Sequence, residues 1–513
     1  MNKKFYITTP VYYVNDIPHI GHAYTTIGAD VLARYKRSKG FDVFFLTGTD
    51  EHGQKVAQAA EREKKNPKEF VDSIVDSYKK TWDLLQITND DFIRTTDDRH
   101  IKAVQGIFKT LLEKGLIYKG IYEGWYCVSC ETFVLQGQTL DANDLPFRVC
   151  PDCHGETKIL KEESYFFKLS AFEDKLLVLY AENPDFVQPK SRLNEVVNFV
   201  KQGLKDLSIT RTTFNWGVPV PNDSKHVIYV WFDALINYIS AIGYPDGEKF
   251  KKYWPADIHL MGKEIVRFHA VIWPAILMAI EFPLPKKVFG HGWWTVEGRK
   301  MSKSLGNTVD PIKMSENYGV DAFRYFVLRE VSFGNDGDFS TQSFINRYNA
   351  DLANDLGNLL SRTLTMIEKY FEGKVPDVKD NAFDPLSRDI INLIKQTPSK
   401  FDECIDRLAF SEALECVWIL ISFANAYIEQ EAPWALEKKG ETEKLSCVLF
   451  NLYEALRIVA ALVSPFMPGS SLEIWKQLNF PQEPQSISLN PFGMKIAGIV
   501  IKKGQPLFPR LNK

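Results

Sequence analysis

Histidine is scarce in this chain, nine among 513 residues, so two of them within the run PHIGH, at His19 and His22, call for a reason. Cysteine is scarcer, with seven, and Cys404, Cys416 and Cys447 lie scattered in helical-looking segments where a small buried hydrophobe is the expected role. Internal repeats and low-complexity tracts are missing, which sets aside repeat architectures. Neither sign of charge dominates: 62 Lys and Arg against 65 Asp and Glu leave −3. Bulk electrostatics therefore neither advertises nor excludes a nucleic-acid partner, because a local basic patch is lost in such an average. Long apolar runs are lacking too. The most apolar stretch, AVIWPAILMAI, is too short to cross a bilayer, and the start MNKKFYITTPVYY carries no apolar segment with a small-residue cleavage site. The expectation is a soluble cytoplasmic protein with no membrane partner.

What is present is enough for large cores: 45% of residues are hydrophobic and 25% charged, and the length suits about three domains. FYITTPVYYV is rich in β-formers, and AYTTIGADVLARYKRSKG has apolar residues at helical spacing ending in glycine. The histidine pair therefore falls at a strand-to-helix junction. His19 and His22 share a face there, Gly21 leaves the backbone bare for a flat ligand, and the helix start offers N–H donors and partial positive charge to phosphate. Plain capping or packing by the two rings is the alternative. FDVFFLTGTDEHG supplies a second strand, and DIHLMGKEIVRFHAVIWPAILMAI with KKVFGHGWWTV supplies more strands and a helix. Strands alternating with helices predict a parallel sheet with its ligand at the carboxyl ends of the strands.

Two further patterns carry chemistry. Cys127 and Cys130, nineteen residues, then Cys150 and Cys153 fit paired turns aiming four thiolates at one tetrahedral zinc. Four sulfurs leave no open position, so such an ion is structural; two disulfides or metal-free thiols are the alternatives, and His154, next to Cys153, is either a stand-in for one cysteine or, as expected, a bystander. Downstream, Lys300, Met301, Ser302, Lys303 and Ser304 lie between Gly298 and Gly306, a cationic arm able to close over phosphates. A solvated basic loop would look the same. From residue 342 the chain turns to helix after helix, including NADLANDLGNLLSRTLTMIEKYF and KLSCVLFNLYEALRIVAALV, which predicts a separate α-helical domain. Leu352, Leu356, Leu359 and Leu360 gather on one side of the first of these helices. Asn358 and Arg362 project from another.

Taken in order, HIGH and KMSKS, each complete and separated by an insertion, resemble class I aminoacyl-tRNA synthetases. TGTDEHG, RTTFNWGVPVP, VWFDALINY, GKEIVRFH, GVDAFRYF and NLLSR resemble the methionyl-tRNA synthetases within that class, over nearly the whole chain. The resemblance implies an α/β fold: a Rossmann-type parallel-sheet catalytic domain in two halves, 1–114 and 225–341, the second with a KMSKS stem-contact region. A connective insert at 115–224 would hold the zinc knuckle, about 126–156, and 342–513 would form an anticodon-binding helical bundle. It implies ligation of methionine to its cognate tRNAs, initiator and elongator, through methionyl-adenylate, with magnesium accompanying ATP. His19, Gly21, His22, Lys300, Ser302 and Lys303 would bind the nucleotide, with His19, His22, Lys300 and Lys303 serving the chemistry. Tyr13, Trp231, Ala234, Leu235, Tyr238, Ile265 and His269 would line the methionine slot, Asp50 would meet the ammonium, and Asn358, Arg362 and Trp434 the anticodon. Some editing of homocysteine is implied, without an identifiable editing domain. No C-terminal oligonucleotide-binding appendage is apparent, so a monomer is expected.

Three rival readings are weighed against this one. A synthetase for another amino acid such as leucine or cysteine differs only in its slot. A zinc-knuckle tRNA-binding protein without catalysis would be free to lose Lys303 or His22. A small-molecule adenylyltransferase would leave the 172 residues from 342 onward without a role.

Overall fold

The structure, a computed structural model, describes residues 3–14, 17–127, 132–134, 149–150, 155–301, 307–379, 384–480 and 496–511. Its centre is a six-stranded sheet of β1 (Lys4–Tyr13), β2 (Asp42–Asp50), β3 (Asp91–Arg94), β4 (Val187–Gln188), β5 (Ile258–Gly262) and β6 (Val288–His291), in the order β3-β2-β1-β5-β6-β4. Every pairing is parallel. Such a sheet is covered on both faces, which explains the nearly unbroken apolar runs in β1 and β2. Proline has no N–H for the ladder, and the β1–β2 register slips between Thr8 and Val11, around Pro10. Strand order reverses between β1 and β5, so a crevice opens beyond their carboxyl ends. The helix that follows β1, α1 (Ile20–Ser38), starts at that crevice and ends in Lys36 and Arg37, cations suited to a helix C-terminus.

The stretch expected as one insert, 115–224, does not lie wholly outside this sheet. A long antiparallel hairpin, Ile117–Cys127 with Thr157–Phe167, leaves it. The chain then returns, and Val187–Gln188 pairs with β6 as an edge strand. Leu176, Leu193, Val196 and Val200 of the intervening helices share one buried cluster with Phe44, Leu46 and Met261 of the sheet. After β6 a small sheet places Trp294–Val296 between Arg299–Lys300 and Gly337–Phe339.

From Thr341 on, the described residues are helical apart from loops and one isolated bridge, Lys374 with Val500. A short helix, Thr341–Arg347, and a wide π-type turn, Tyr348–Gly357, lead into α2 (Asn358–Phe371). Then follow α3 (Pro385–Asp406), α4 (Phe410–Glu431), α5 (Pro433–Lys439), α6 (Thr442–Val463) and α7 (Pro468–Leu478). The expectation that no apolar stretch reaches membrane length needs correcting: Phe410–Lys439 and Thr442–Val463 are both long and apolar enough. The apolarity of Thr442–Val463 has a local cause, since nearly all of its most apolar stretch is buried as the central helix of this bundle, and just over half of that of Phe410–Lys439 is buried too.

The bundle is joined to the sheet domain through the interior. The guanidinium of Arg324, fully buried, donates to Asp30 Oδ2 of α1 at 2.7 Å, to the carbonyl of Leu85 at 2.9 Å, and to the carbonyls of Pro465 and Phe466 at 2.8 Å. Burial alone would raise the Asp30 pKa, but Arg324 and Arg34 outweigh it and hold the carboxyl below its ordinary range. At the far end of α1, Lys36 and Lys39 pair with Asp406 and Asp402 of α3, each at 2.7 Å.

Candidate active site

The HIGH histidines sit at the mouth of the crevice, and their geometry differs from the expectation in two respects. His19 is the N-cap of α1, not part of its first turn, and is joined to His22 by a reciprocal capping box. The Gly21 amide donates to His19 Nδ1 at 3.0 Å, and the His19 amide donates to His22 Nδ1 at 3.2 Å. The Ile20 amide donates to the carbonyl of Val309, just beyond the KMSKS run, at 3.1 Å. The backbone donors of Ile20 and Gly21 are thus already engaged. What remains are the rings, stacked with centroids 4.0 Å apart. A backbone N–H can only donate to a ring nitrogen bearing a lone pair, so both imidazoles in their neutral form carry the proton on Nε2. Burial lowers the pKa of His19, and burial together with His19 lowers that of His22 further. They are neutral donors, not cations.

Gly21 also has a different reason from the one expected. A Cβ there would fall 2.9 Å from His19 Cε1. The bare backbone makes room for the capping imidazole.

Tyr12 stands edge-on to His22, 5.0 Å between centroids, and Tyr78 stands 5.6 Å from it, so the ring is held from two sides. Across the crevice Glu264, in the turn after β5, accepts from Trp293 Nε1 at 2.6 Å. Lys300 belongs to the Arg299–Lys300 strand, whose backbone pairs with Thr295 and Val296. Ser302 and Lys303 lie outside the described residues.

The residues expected to line the amino-acid slot form a second group. Tyr13 and Asp50 end β1 and β2 in register with each other, and the Val14 amide donates to the Asp50 carbonyl at 3.1 Å. Trp231, Ala234 and Leu235 belong to the one-turn helix Val230–Leu235. Trp231 lies flat on Phe268, 3.6 Å between centroids and 6° apart, which makes an aromatic wall. Beyond it the Tyr238 hydroxyl donates to His269 Nε2 at 2.6 Å, since His269 Nδ1–H donates to the carbonyl of Ile265 at 3.0 Å. Burial lowers the pKa of His269 to about 4, so this ring too is neutral. His269 lies in a π-type turn, Phe268–Ile272, an irregularity that re-aims a side chain.

Sequence reasoning missed a buried polar cluster next to these residues. Asp233 Oδ2 accepts from His52 Nδ1 at 2.6 Å, and Asp233 Oδ1 accepts from His100 Nε2 at 2.8 Å. Glu51 beside it binds Arg94 through both carboxylate oxygens, at 2.6 and 2.8 Å. The available signal was that two more of the nine histidines stand beside acidic neighbours, in DEHG and DDRH.

In the helical bundle, Leu352, Leu356, Leu359 and Leu360 are buried, as their spacing predicted. Asn358 and Arg362 lie on another side of α2, with Asn358 Nδ2 3.5 Å from Asn425 Oδ1 and Arg362 paired with Glu429 at 2.7 Å. The Arg362 guanidinium lies 6.0 Å from the centroid of Trp434, whose side chain is 40% exposed. The three expected bundle residues thus form one outward patch.

A doubly wound parallel sheet, a histidine-capped helix at its switch point and a helical bundle behind it define a class I tRNA synthetase. The family model described as "tRNA synthetases class I (M)" matches residues 5–153 and 135–364, and "Anticodon-binding domain of tRNA ligase" matches 387–501. The methionine–tRNA ligase of Caldanaerobacter subterraneus subsp. tengcongensis is 54% identical over 100% of this chain and 80% of its own length. That of Thermotoga maritima is 51% identical over 99% of this chain and 80% of its own length. The chain belongs to the methionine–tRNA ligase family. Among solved structures, Mycobacterium tuberculosis methionyl-tRNA synthetase in complex with methionyl-adenylate superposes with a TM-score of 0.95 at 41% identity, over 99% of this chain and 100% of that one. The apo form of that enzyme gives 0.87 at 39% identity, over 100% and 99%.

Proposed function

We propose that this crevice activates L-methionine with magnesium-bound ATP and then passes the methionyl group to tRNA, releasing pyrophosphate and AMP. What supports the reading is a pair of Nε2–H imidazole donors just after β1, Tyr13 and Asp50 side by side at the ends of β1 and β2, and Trp231 laid flat on Phe268 after β5. The methionine carboxylate is itself the nucleophile, so the protein needs no catalytic serine or cysteine. Its task is to align that carboxylate with the α-phosphorus and to stabilise charge developing on the phosphate oxygens. His19 and His22 supply donors on one side, and Lys300, Ser302 and Lys303 close from the other. The Ile20–Val309 hydrogen bond ties the chain just after that arm to the start of α1.

Asp50 meets the substrate ammonium. Tyr13, Trp231, Ala234, Leu235, Tyr238, Ile265 and His269 surround the thioether, a flexible polarizable group suited to an aromatic and aliphatic slot. Such a slot rejects a side chain one methylene shorter by only about 1 to 3 kcal/mol, so homocysteine enters as a near-cognate. The test is amino-acid-dependent pyrophosphate exchange across a panel that includes leucine and cysteine. Methionine is expected to support exchange at least 10²-fold faster than either; equal or faster exchange with another amino acid overturns the slot assignment.

The hairpin tip is proposed to hold one structural zinc. Cys127 and Cys150 are buried together against Trp125, and the Cys150 amide donates to the Gly155 carbonyl at 2.9 Å. Cys130 and Cys153 lie outside the described residues. Among the described residues no group of three or more metal-ligating side chains occurs, so the set depends on that second pair. Four thiolates would supply a closed tetrahedral clamp that folds the tip and takes no part in the reaction. Metal analysis of purified protein is expected to find about one zinc per chain and none after Cys127→Ala with Cys150→Ala. Zinc retained by the double variant would place the ligands elsewhere.

The patch of Asn358, Arg362 and Trp434 is proposed to read the anticodon, Trp434 by stacking a splayed base. Its exposure argues against a core role, for which a truncation would cost about 3 to 5 kcal/mol. Trp434→Ala is therefore expected to leave thermal unfolding and tRNA-independent adenylation unchanged. It should lower kcat/KM for tRNA roughly 5- to 150-fold, the cost of one stack. Equal impairment of both reactions, or a clear loss of stability, would remove Trp434 from this role.

A further inference from the structure

The buried cluster of His52, Asp233, His100 and Ser240 has no part in the chemistry above, yet it ties together the two sides of the slot. Asp233 lies two residues after Trp231 and directly before Ala234 and Leu235, on the helix that forms the apolar wall. His52 lies two residues after Asp50, in the turn that closes β2. One carboxylate bridges them: Asp233 Oδ2 takes the His52 Nδ1–H at 2.6 Å, while Oδ1 takes the His100 Nε2–H at 2.8 Å. His100 Nδ1 in turn accepts from the Ser240 hydroxyl at 2.9 Å. Asp233, His100 and Ser240 are buried at 2% exposure or less and His52 at 4%, so water cannot substitute for a missing partner. Burial alone would raise the pKa of Asp233, but His52 and His100 together hold it below the ordinary carboxylate range.

The turn is bracketed on its other side. Trp216 Nε1 donates to the Glu51 carbonyl at 2.6 Å, the Gly53 amide donates to the Trp216 carbonyl at 3.1 Å, and the Trp216 ring stands edge-on to His52. Backbone contacts thus fix residues 51 and 53, and the His52–Asp233 bond joins the side chain between them to the slot's wall.

We propose that Asp233 and His52 are positioning residues for amino-acid recognition: their hydrogen bond sets the Asp50 carboxylate relative to the wall carrying Trp231, so that ammonium and side chain are gripped at one fixed separation. This rests on the reading that Asp50 meets the substrate ammonium. The ATP side of the crevice, with His19, His22 and Glu264, has its own fasteners and does not depend on this bond.

The test is steady-state pyrophosphate exchange with methionine and ATP varied separately, on the full chain. His52→Ala is expected to raise KM for methionine about tenfold with KM for ATP changed less than twofold, a displacement effect on one substrate only. His52→Asn, whose amide N–H stands where Nδ1–H stood, is expected to return KM for methionine to within about twofold of the parent value. Asp233→Asn, which keeps the shape but offers an N–H to an N–H, should resemble His52→Ala; if it fails to fold, the two His52 variants decide. Unchanged KM for methionine in His52→Ala, an equal rise in both KM values, or no rescue by asparagine overturns the positioning role, provided Asp50→Asn itself raises KM for methionine. An unaffected Asp50→Asn would instead overturn the ammonium reading beneath it.

Discussion

His22→Ala lowers the single-turnover rate of methionyl-adenylate formation about 10²-fold, with the fold intact; that is the expected result for losing one preorganised donor to the transition state. The tautomer sharpens the expectation. Because Nδ1 accepts a backbone N–H, the useful proton is on Nε2. His22→Gln, whose amide N–H lies near the Nε2 position, should retain more activity than His22→Asn, which mimics Nδ1. Equal activity of the two amide variants would mean that the ring acts through packing. Lys303→Ala should cost a similar factor. The depressed pKa values of His19 and His22 keep both rings neutral as pH falls through the ordinary histidine value of 6.5. The donors therefore work unchanged there, while stability declines: below 6.5 the unfolded chain takes up protons that the folded rings refuse, and the loss grows until the lower folded values are reached. Unfolding curves at pH 7.5 and 5.0 should show lower stability at the acid value.

Arg324→Met is expected to destabilise the protein by about 3 to 5 kcal/mol, because it removes one of the two guanidinium partners of the buried Asp30 carboxylate and leaves Arg34 alone to balance it. Pro465 and Phe466 would lose the donor shared by their carbonyls as well. Asp30→Leu should be comparably damaging, since it leaves a buried guanidinium uncompensated. Removing both charges together should cost less than the sum of the single changes, the mark of a coupled pair. A denaturation series over the two single variants and the double variant checks this. Additive losses would mean that the carbonyl contacts, not the ion pair, carry the joint.

Much of this architecture was legible because it was periodic. The strand and helix around PHIGH follow from a change of apolar period from two to 3.6. The four leucines from Leu352 to Leu360 mark a buried face in the same way. What escaped was either too short or too distant. Val187–Gln188 is a two-residue edge strand, below any pattern's length, so the expected insert ran through it. Asp233, His52 and His100 are 181 and 133 positions apart, and no local rule joins them. Ring tautomers depend on which backbone amide lies within hydrogen-bond reach, which spacing cannot give. The interior helix Thr442–Val463 shows a different difficulty: it was read as a helix but its apolar length was passed over, and a membrane and a packed bundle ask for the same residues.

The joint behind α1 has a consequence for how the molecule can be divided. Phe333 packs on Phe410 at 4.7 Å and Phe410 on Phe466 at 6.0 Å, while Phe401 faces Tyr35 of α1, so a single apolar cluster runs from the sheet through α1 into the bundle. No solvent layer separates a catalytic module from a recognition module along that line. A fragment ending near residue 341 would uncover the apolar face now capped by Phe401, Phe410 and Phe466, aromatic side chains that each bury about 150 to 250 Å². Such a face invites aggregation. The two halves are therefore expected to unfold in one transition, and a gene cut between them to yield two insoluble pieces instead of an adenylating half and a tRNA-binding half.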